Sequence, residues 1–95
     1  MVLPTGLRAV RRTPVFDETG MPDALRKDHS TREGTWGLIH VLSGRLVYRV
    51  TDPRRPARET ELTPASDPGL VEPTILHAVE PVGPVRFFVA FYREG

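Results

Sequence analysis

The sequence of 95 residues contains no cysteine. Without a thiol the chain forms no disulfide, uses no cysteine nucleophile and binds no metal through thiolate. It also lacks any run approaching the roughly eighteen apolar residues of a membrane-spanning helix. The N-terminal MVLPTGLRAVRR has neither the apolar stretch nor the small-residue cleavage site of a signal peptide. We therefore expect a cytoplasmic protein that does not bind membranes.

A large excess of charge is missing as well. Thirteen basic and twelve acidic residues give a net charge of +1, which is no electrostatic footprint for nucleic acid. The length is that of one domain, and residues 1–95 are predicted to form it. A domain of this size buries a modest core, so a homodimer interface is one way to bury more surface.

Long helices are disfavoured by ten prolines and eight glycines. Only PDALRKD (22–28) suits a single helical turn. The clearest pattern is a pair of strand-like runs, TWGLIHVL and RLVYRV, on either side of Ser43–Gly44, and it predicts a hairpin. Val82–Gly83–Pro84 predicts another turn. Further short strands are predicted at LRAV (7–10), ARETELT (57–63), GLVEP (69–73), ILHAVEP (75–81) and VRFFVAFYR (85–93).

Alternation within these runs sorts side chains into faces. In RLVYRV the pattern places Leu46, Tyr48 and Val50 inside and the intervening arginines in solvent. In TWGLIHVL it places His40 on the face opposite Ile39. With six to eight short strands, the fold class predicted from the residues alone is an all-β antiparallel sandwich or barrel.

Three histidines and a few acids are the candidates for chemistry. His29, His40 and His77 form no local metal-binding motif, so any site must be assembled in space. Imidazole and carboxylate are the usual ligands of zinc, nickel, iron and manganese. Glu72, an acid within an apolar run, is costly to bury unless paired or coordinated. Histidines and acids satisfied by neighbouring polar groups are the alternative, and Ser30 and Ser43 lack the context of a serine nucleophile.

Two further features have simpler readings. Arg54, Arg55 and Arg58 are predicted to lie in a solvated loop, with an anion-binding spot as the alternative. The aromatic residues of FFVAFY (87–92) are predicted to pack in the core or to line a ligand cavity together with Tyr48 or Trp36. The whole VRFFVAFY run is more apolar than one internal face requires, which indicates either a homodimer interface or an N-terminal segment that covers it.

Several segments resemble the TehB/YeaR-like small cupins in order and spacing over nearly the whole chain. They are RTPVF (12–16), MPDAL (21–25), HST (29–31), GTWG (34–37), VLSG (41–44), VEP (71–73), HAVEP (77–81) and VRFFV (85–89). The resemblance implies a single-domain cupin, a double-stranded β-helix or jelly-roll barrel. It also implies a metal inside the barrel, because cupins generally bind a divalent ion through histidines and an acid.

The cupin pattern maps onto particular positions. His77 occupies the place of the second-motif histidine and His29 that of a first-motif histidine, while Gly37 stands where the motif has glutamate. We expect Glu72 to supply the missing acid, with Glu33 as second choice. The predicted metal ligands are thus His29, Glu72 and His77, and the expected cofactor is zinc, nickel, iron or manganese.

The function that the resemblance suggests is a metal-binding cupin that responds to toxic oxyanions or nitrosative stress, with a small molecule as its ligand. The family name refers to tellurite resistance, where such a domain precedes a methyltransferase domain. Methyl transfer is not expected of this chain, which has no nucleotide-binding glycine motif. A metal-free, non-enzymatic module for ligand binding or dimerisation is the alternative, and the sequence leaves open whether the protein is an enzyme.

Overall fold

The computed structural model describes residues 3–94, whose strands pair into one antiparallel sheet. Its six strands are Leu7–Arg12 (β1), Phe16–Asp17 (β2), Trp36–Val50 (β3), Arg58–Leu62 (β4), Gly69–Val71 (β5) and His77–Glu94 (β6). The only helical element in this range is a short 3-10 helix, Asp23–Arg26, within the predicted helical turn. No helix in the described range has the length and apolar character needed to cross a bilayer.

The centre of the fold is the antiparallel pair β3 and β6. The strands follow the order β1-β6-β3-β4 in one antiparallel sheet, with β2 added beside β6 and β5 beside β3. The first part of β3, from Trp36 to Gly44, pairs with Tyr92 to Val85, and its second part pairs with 81–77. Each long strand therefore contributes to two halves of the sheet.

The predicted turns at Ser43–Gly44 and at 82–84 are wrong. Both segments lie inside continuous strands, and the two runs around Ser43–Gly44 pair with β6 rather than with each other. Register shifts between Val41 and Ser43, and between Gly44 and Leu46, mark β-bulges or irregularities in the pairing of β3 with β6. Since a bulge bends a strand without ending it, the glycine here bends a long strand instead of closing a hairpin.

The two halves of the sheet enclose one hydrophobic core. Its fully buried side chains are Phe87, Leu46, Val71 and Val85. The predicted inside face of β3 is confirmed for Leu46 and Tyr48, which are almost completely buried, and Val50 is half-buried against the same core.

Candidate functional site

A cavity of about 550 Å³ lies between the two halves of the sheet. Its apolar walls include Phe16, Ile39, Val71, Phe87, Val89 and Phe91. Its polar lining includes His29, Thr31, Thr35 and His77, together with exposed arginines. Concave, mostly apolar cavities of this size with a few converging polar groups are the usual form of a small-molecule site.

His29 and His77 lie side by side in this cavity. His77 begins β6, and its main chain exchanges two hydrogen bonds of 2.9 Å with His29 from the loop before β3. Directly opposed residues in such a bridge point their side chains the same way, and the two ring centroids lie 4.2 Å apart. The structure therefore brings these two predicted site residues together.

Both imidazoles are fixed by main-chain carbonyl groups. Nδ1 of His29 lies 3.1 Å from the oxygen of Lys27, and Nδ1 of His77 lies 3.1 Å from that of Ile75. Burial, with a smaller contribution from the neighbouring His29, lowers the pKa of His77 to about 4, although the Ile75 carbonyl opposes the shift. The ring of His77 is consequently neutral near pH 7.

A short polar loop holds His77 in place. The carboxylate of Asp52 is buried and accepts hydrogen bonds from the Leu76 amide at 2.9 Å and from the Arg54 guanidinium at 2.8 and 2.9 Å. Arg54 also donates to the Thr74 carbonyl at 2.7 Å. The Arg54 guanidinium and the main-chain amides of Leu76 and Arg54 hold the pKa of Asp52 far below its usual range. The segment leading to His77 is thus tied to the loop after β3.

Three exposed arginine side chains also line the cavity. Arg93, at the exposed end of β6, donates a hydrogen bond to the hydroxyl of buried Thr35. The guanidinium of Arg11, from β1, lies 4.6 Å from the centre of the Phe91 ring, and Arg32 lines the cavity from the loop before β3. Within residues 3–94, no aspartate or glutamate lines this cavity. Its electrostatic character is therefore cationic.

These arginines were missed by the sequence analysis. Alternation along β6 contains the signal, because Phe87 and Phe91 face the cavity and Arg93 follows with the same parity. The signal is weak, since both faces of this strand are rich in apolar residues. Arg11 carries no local signal, because a β-bulge between Ala9 and Arg11 shifts the register of β1.

Glu72 and Glu33 do not complete a site with the histidines. The carboxylate of Glu72 accepts hydrogen bonds from Arg55 at 2.7 and 3.3 Å, and this contact lowers its pKa. Neither glutamate lines the cavity, and Glu33 is exposed. Gly37 leaves no space for an incoming acid either, because a Cβ there would lie 3.2 Å from Cβ of Val71.

The remaining candidates lie outside the cavity. His40 is on the outer face of the sheet, as its parity predicts, and stacks on Phe88 with ring centroids 4.9 Å apart. Tyr48 and Trp36 do not line the cavity either. The Tyr48 hydroxyl instead donates to the Leu70 carbonyl at 2.7 Å, and burial raises its pKa to about 12.

The fold and cavity define a small all-β domain with a cationic internal pocket. The chain belongs to the TehB-like family, whose domain matches residues 11–89. It is 35% identical over 71 residues to a protein named as the probable S-adenosyl-L-methionine-dependent methyltransferase TehB of Haemophilus influenzae strain Rd. The protein with this name from strain 10810 is 34% identical over the same length. Each match covers 74% of this chain and 25% of the relative.

Two crystal structures share the fold. TehB from Haemophilus influenzae superimposes with a TM-score of 0.86 at 28% identity, over 95% of this chain and 32% of that one. A protein from Escherichia coli K12 superimposes with a TM-score of 0.85 at 17% identity, over 100% of this chain and 98% of that one. The domain is thus one part of the first protein and nearly all of the second.

The predicted metal-binding function and divalent-metal cofactor are wrong. In the described part of the chain, no three histidine, cysteine, aspartate or glutamate residues are grouped closely enough to hold a metal ion. His29 and His77 lie close together, but Glu72, the acid expected to join them, accepts a hydrogen bond from Arg55 instead. The relatives of which this chain matches a quarter are named as S-adenosyl-L-methionine-dependent methyltransferases and not as metal-binding proteins.

Proposed function

We propose that this domain holds the methyl acceptor for an S-adenosylmethionine-dependent methyl transfer, and that the acceptor is a small anion. The chain spans about a quarter of the relatives that carry the methyltransferase name. The observation that carries the proposal is the set of Arg11, Arg32 and Arg93 around an apolar cavity whose described lining has no carboxylate.

Within residues 3–94, the arginines that line the cavity take part in no salt bridge. Elsewhere the arginines in salt bridges have acidic partners: Arg49 contacts Glu59 at 2.7 Å and Glu80 at 2.9 Å, and Arg55 contacts Glu72 at 2.7 Å. Arg93 contacts a hydroxyl group instead, and Arg11 lies against an aromatic ring. A guanidinium group without an acidic neighbour is well suited to bind a carboxylate or another oxyanion through paired hydrogen bonds.

S-adenosylmethionine itself does not fit the cavity. Its sulfonium centre is cationic, and like charges repel most strongly where apolar walls exclude water. Ribose hydroxyls in nucleotide sites are commonly bound by an acidic residue, whereas the ionisable residues that line this cavity are arginines and histidines. We therefore assign no step of the transfer to a cofactor within this domain. Its residues bind and orient the acceptor.

Exchanging Arg93 for glutamine should weaken anion binding by about 10- to 100-fold, which is the value of a charge-assisted hydrogen bond. Isothermal titration calorimetry with phosphate, acetate, phenylacetate and para-hydroxyphenylacetate measures this, with phenylacetamide as the uncharged comparison. Arg45→Gln is the matched control, because Arg45 lies outside the cavity, 3.7 Å from Glu61. No binding of any anion to the wild-type protein, or an equal loss in both variants, would overturn the proposal.

The finer description of the fold belongs to the same proposal. We propose a cupin-type jelly roll spanning residues 1–95, supported by long strands that each serve two halves of one bent sheet. We also propose a cytoplasmic location, which cell fractionation tests. Nucleic acids and membranes are not proposed as partners, in keeping with a net charge of +1.

We also propose that the protein is a homodimer. The outer face of the central strand pair presents Trp36, Leu38, His40 and Phe88, all of them only half-buried in one chain. Aromatic residues on a sheet face are common in protein interfaces. Light scattering at high micromolar concentration should give twice the chain mass of 10.6 kDa. A mass of 10.6 kDa at that concentration would contradict the dimer.

A further inference from the structure

We infer that the cavity selects anions that also carry a hydroxyl group, with the anionic end at the arginines and the hydroxyl donating to Nε2 of His77. This inference rests on the proposed anion-binding function and names the class of acceptor: small aromatic hydroxy acids. It places the reactive oxygen of the acceptor at His77. Anion binding alone does not specify that position.

The hydrogen bonds of the imidazole determine what it offers to a ligand. A carbonyl oxygen only accepts, so Nδ1 of His77 must carry the hydrogen that it shares with the Ile75 oxygen at 3.1 Å. In a neutral ring Nε2 then has a free lone pair. His29 is held in the same way by the Lys27 carbonyl. Nε2 of His77 is therefore a hydrogen-bond acceptor in a cavity that no carboxylate of residues 3–94 lines.

The site of Nε2 makes this acceptor selective. His77 is only 4% exposed, yet no buried side-chain nitrogen or oxygen in residues 3–94 lacks a hydrogen-bond partner. Nε2 must therefore be reachable from the cavity that His77 lines. A bound ligand would displace the water from it, and a ligand without a donor would leave the nitrogen unpaired. Sites of this kind discriminate strongly against analogues that lack the hydrogen-bonding group.

The two recognition groups lie on different halves of the sheet. His77 starts β6 and pairs with Val50 in the second part of β3, whereas Arg93 lies near the end of β6, beyond the pairing of Tyr92 with Trp36. The bend of the sheet brings both to one cavity, and facing sheet layers are separated by about 10 Å. A ligand with a carboxylate and a hydroxyl at opposite ends of a short rigid body spans such a gap.

The walls between these groups favour an aromatic body for the ligand. Phe16, Phe87 and Phe91 all line the cavity, and the first two pack edge to face with their centroids 5.7 Å apart. Aromatic rings gain contact energy in such surroundings beyond the burial of their area. A benzene ring with a para-hydroxyl group and a short carboxylate arm has the three features that the cavity presents.

Calorimetry with three ligands tests the inference on the wild-type protein. Para-hydroxyphenylacetate should bind about tenfold more tightly than phenylacetate and para-methoxyphenylacetate, the value of one hydrogen bond to a buried acceptor. The first analogue lacks the oxygen and the second keeps the oxygen without its hydrogen, so both lack the donor. Equal binding of the three ligands would overturn the inference.

Two variants locate the effect. His77→Phe should bind the three ligands equally, because its ring has no acceptor, while His40→Phe on the outer face should keep the wild-type preference. Arg93→Gln should weaken all three together and leave the preference intact. If His77→Phe is folded by circular dichroism and retains the preference, the inference fails. The wild-type series decides if the variant does not fold.

Failure of this inference and failure of the proposed function give different results. Equal binding of the three ligands, lost in Arg93→Gln, would leave an anion-binding domain without hydroxyl selectivity. Binding of phosphate or acetate but of none of the three aromatic acids would likewise leave the anion proposal standing and remove the hydroxy-acid class. If no anion in the larger set binds, both proposals fall.

Discussion

Replacing Gly44 with alanine should lower the free energy of unfolding by about 2–5 kcal/mol, the combined cost of a left-handed backbone and of overpacking. Gly44 has a φ of 78°. A Cβ at this position would lie 2.1 Å from the carbonyl oxygen of Pro84 and 2.9 Å from Cα of Val85. Both are backbone atoms of β6, so no side-chain rotation relieves the overlap. The two central strands would have to separate at the bend.

Gly83→Ala is the matched control for this prediction. Gly83 has a similar φ of 71°, but no atom lies within 4 Å of the Cβ that alanine would add. It should lose only about 1–2 kcal/mol, the conformational cost alone. Urea denaturation of the two variants measures the difference. Similar losses in both would show that the close approach of β3 and β6 does not constrain residue 44.

Phe87→Ala should cost about 3–5 kcal/mol, the range for removing a buried phenylalanine side chain from a packed core. Phe87 is completely buried and pairs across the sheet with Val41. It also packs against Phe16 at the base of the cavity. A domain of this size has a stability of about 5–15 kcal/mol, so the variant should be close to unfolding at room temperature.

Phe88→Ala provides the comparison from the adjacent position. Phe88 points to the outer face, where it is half-buried, stacks on His40 and lies 4.9 Å from the Arg12 guanidinium. Its loss should cost about 1 kcal/mol, as expected for a partly exposed stacking contact. Thermal and urea unfolding of the two variants test the assignment of faces in β6. A greater loss for Phe88→Ala than for Phe87→Ala would mean that the faces are reversed.

The cavity and the bend of the sheet depend on different residues. Gly44 and Phe87 stabilise the fold, because they lie where β3 and β6 cross from one half of the sheet to the other. Arg93 contributes through charge at the exposed end of the same strand. Substitution of Arg93 should therefore change ligand affinity with little effect on unfolding, and this separation makes the binding experiments interpretable.

Local periodicity determined the fold class and the faces of the strands. Alternation in RLVYRV assigned Leu46 and Tyr48 to the core, and alternation in TWGLIHVL assigned His40 to the outer face. Both assignments agree with the structure. They depend only on the two-residue repeat of an extended strand, which is a property of the chain itself. The many prolines and glycines likewise indicated strands instead of helices.

Strand pairing was decided by tertiary structure. A glycine after an apolar run has the same local signature in a hairpin turn and in a bulge, so the sequence predicted a hairpin at Ser43–Gly44. The structure instead pairs β3 with β6 at large sequence separation. Burial of the inward faces of two long strands around one core determines that choice, and no short segment contains the information.

The candidate site likewise depends partly on local sequence and partly on tertiary structure. Resemblance to a known family, and not the residue pattern alone, pointed to His29 and His77 as members of one site. The sequence could not assign Arg55 as the partner of Glu72, because the two residues are 17 positions apart and only the folded loops bring them together. Nor could it gather Arg11 and Arg93 from opposite ends of the chain beside the histidines. Residue type and alternation are local properties, whereas the charge of a cavity is the sum over side chains that only the tertiary fold brings into proximity.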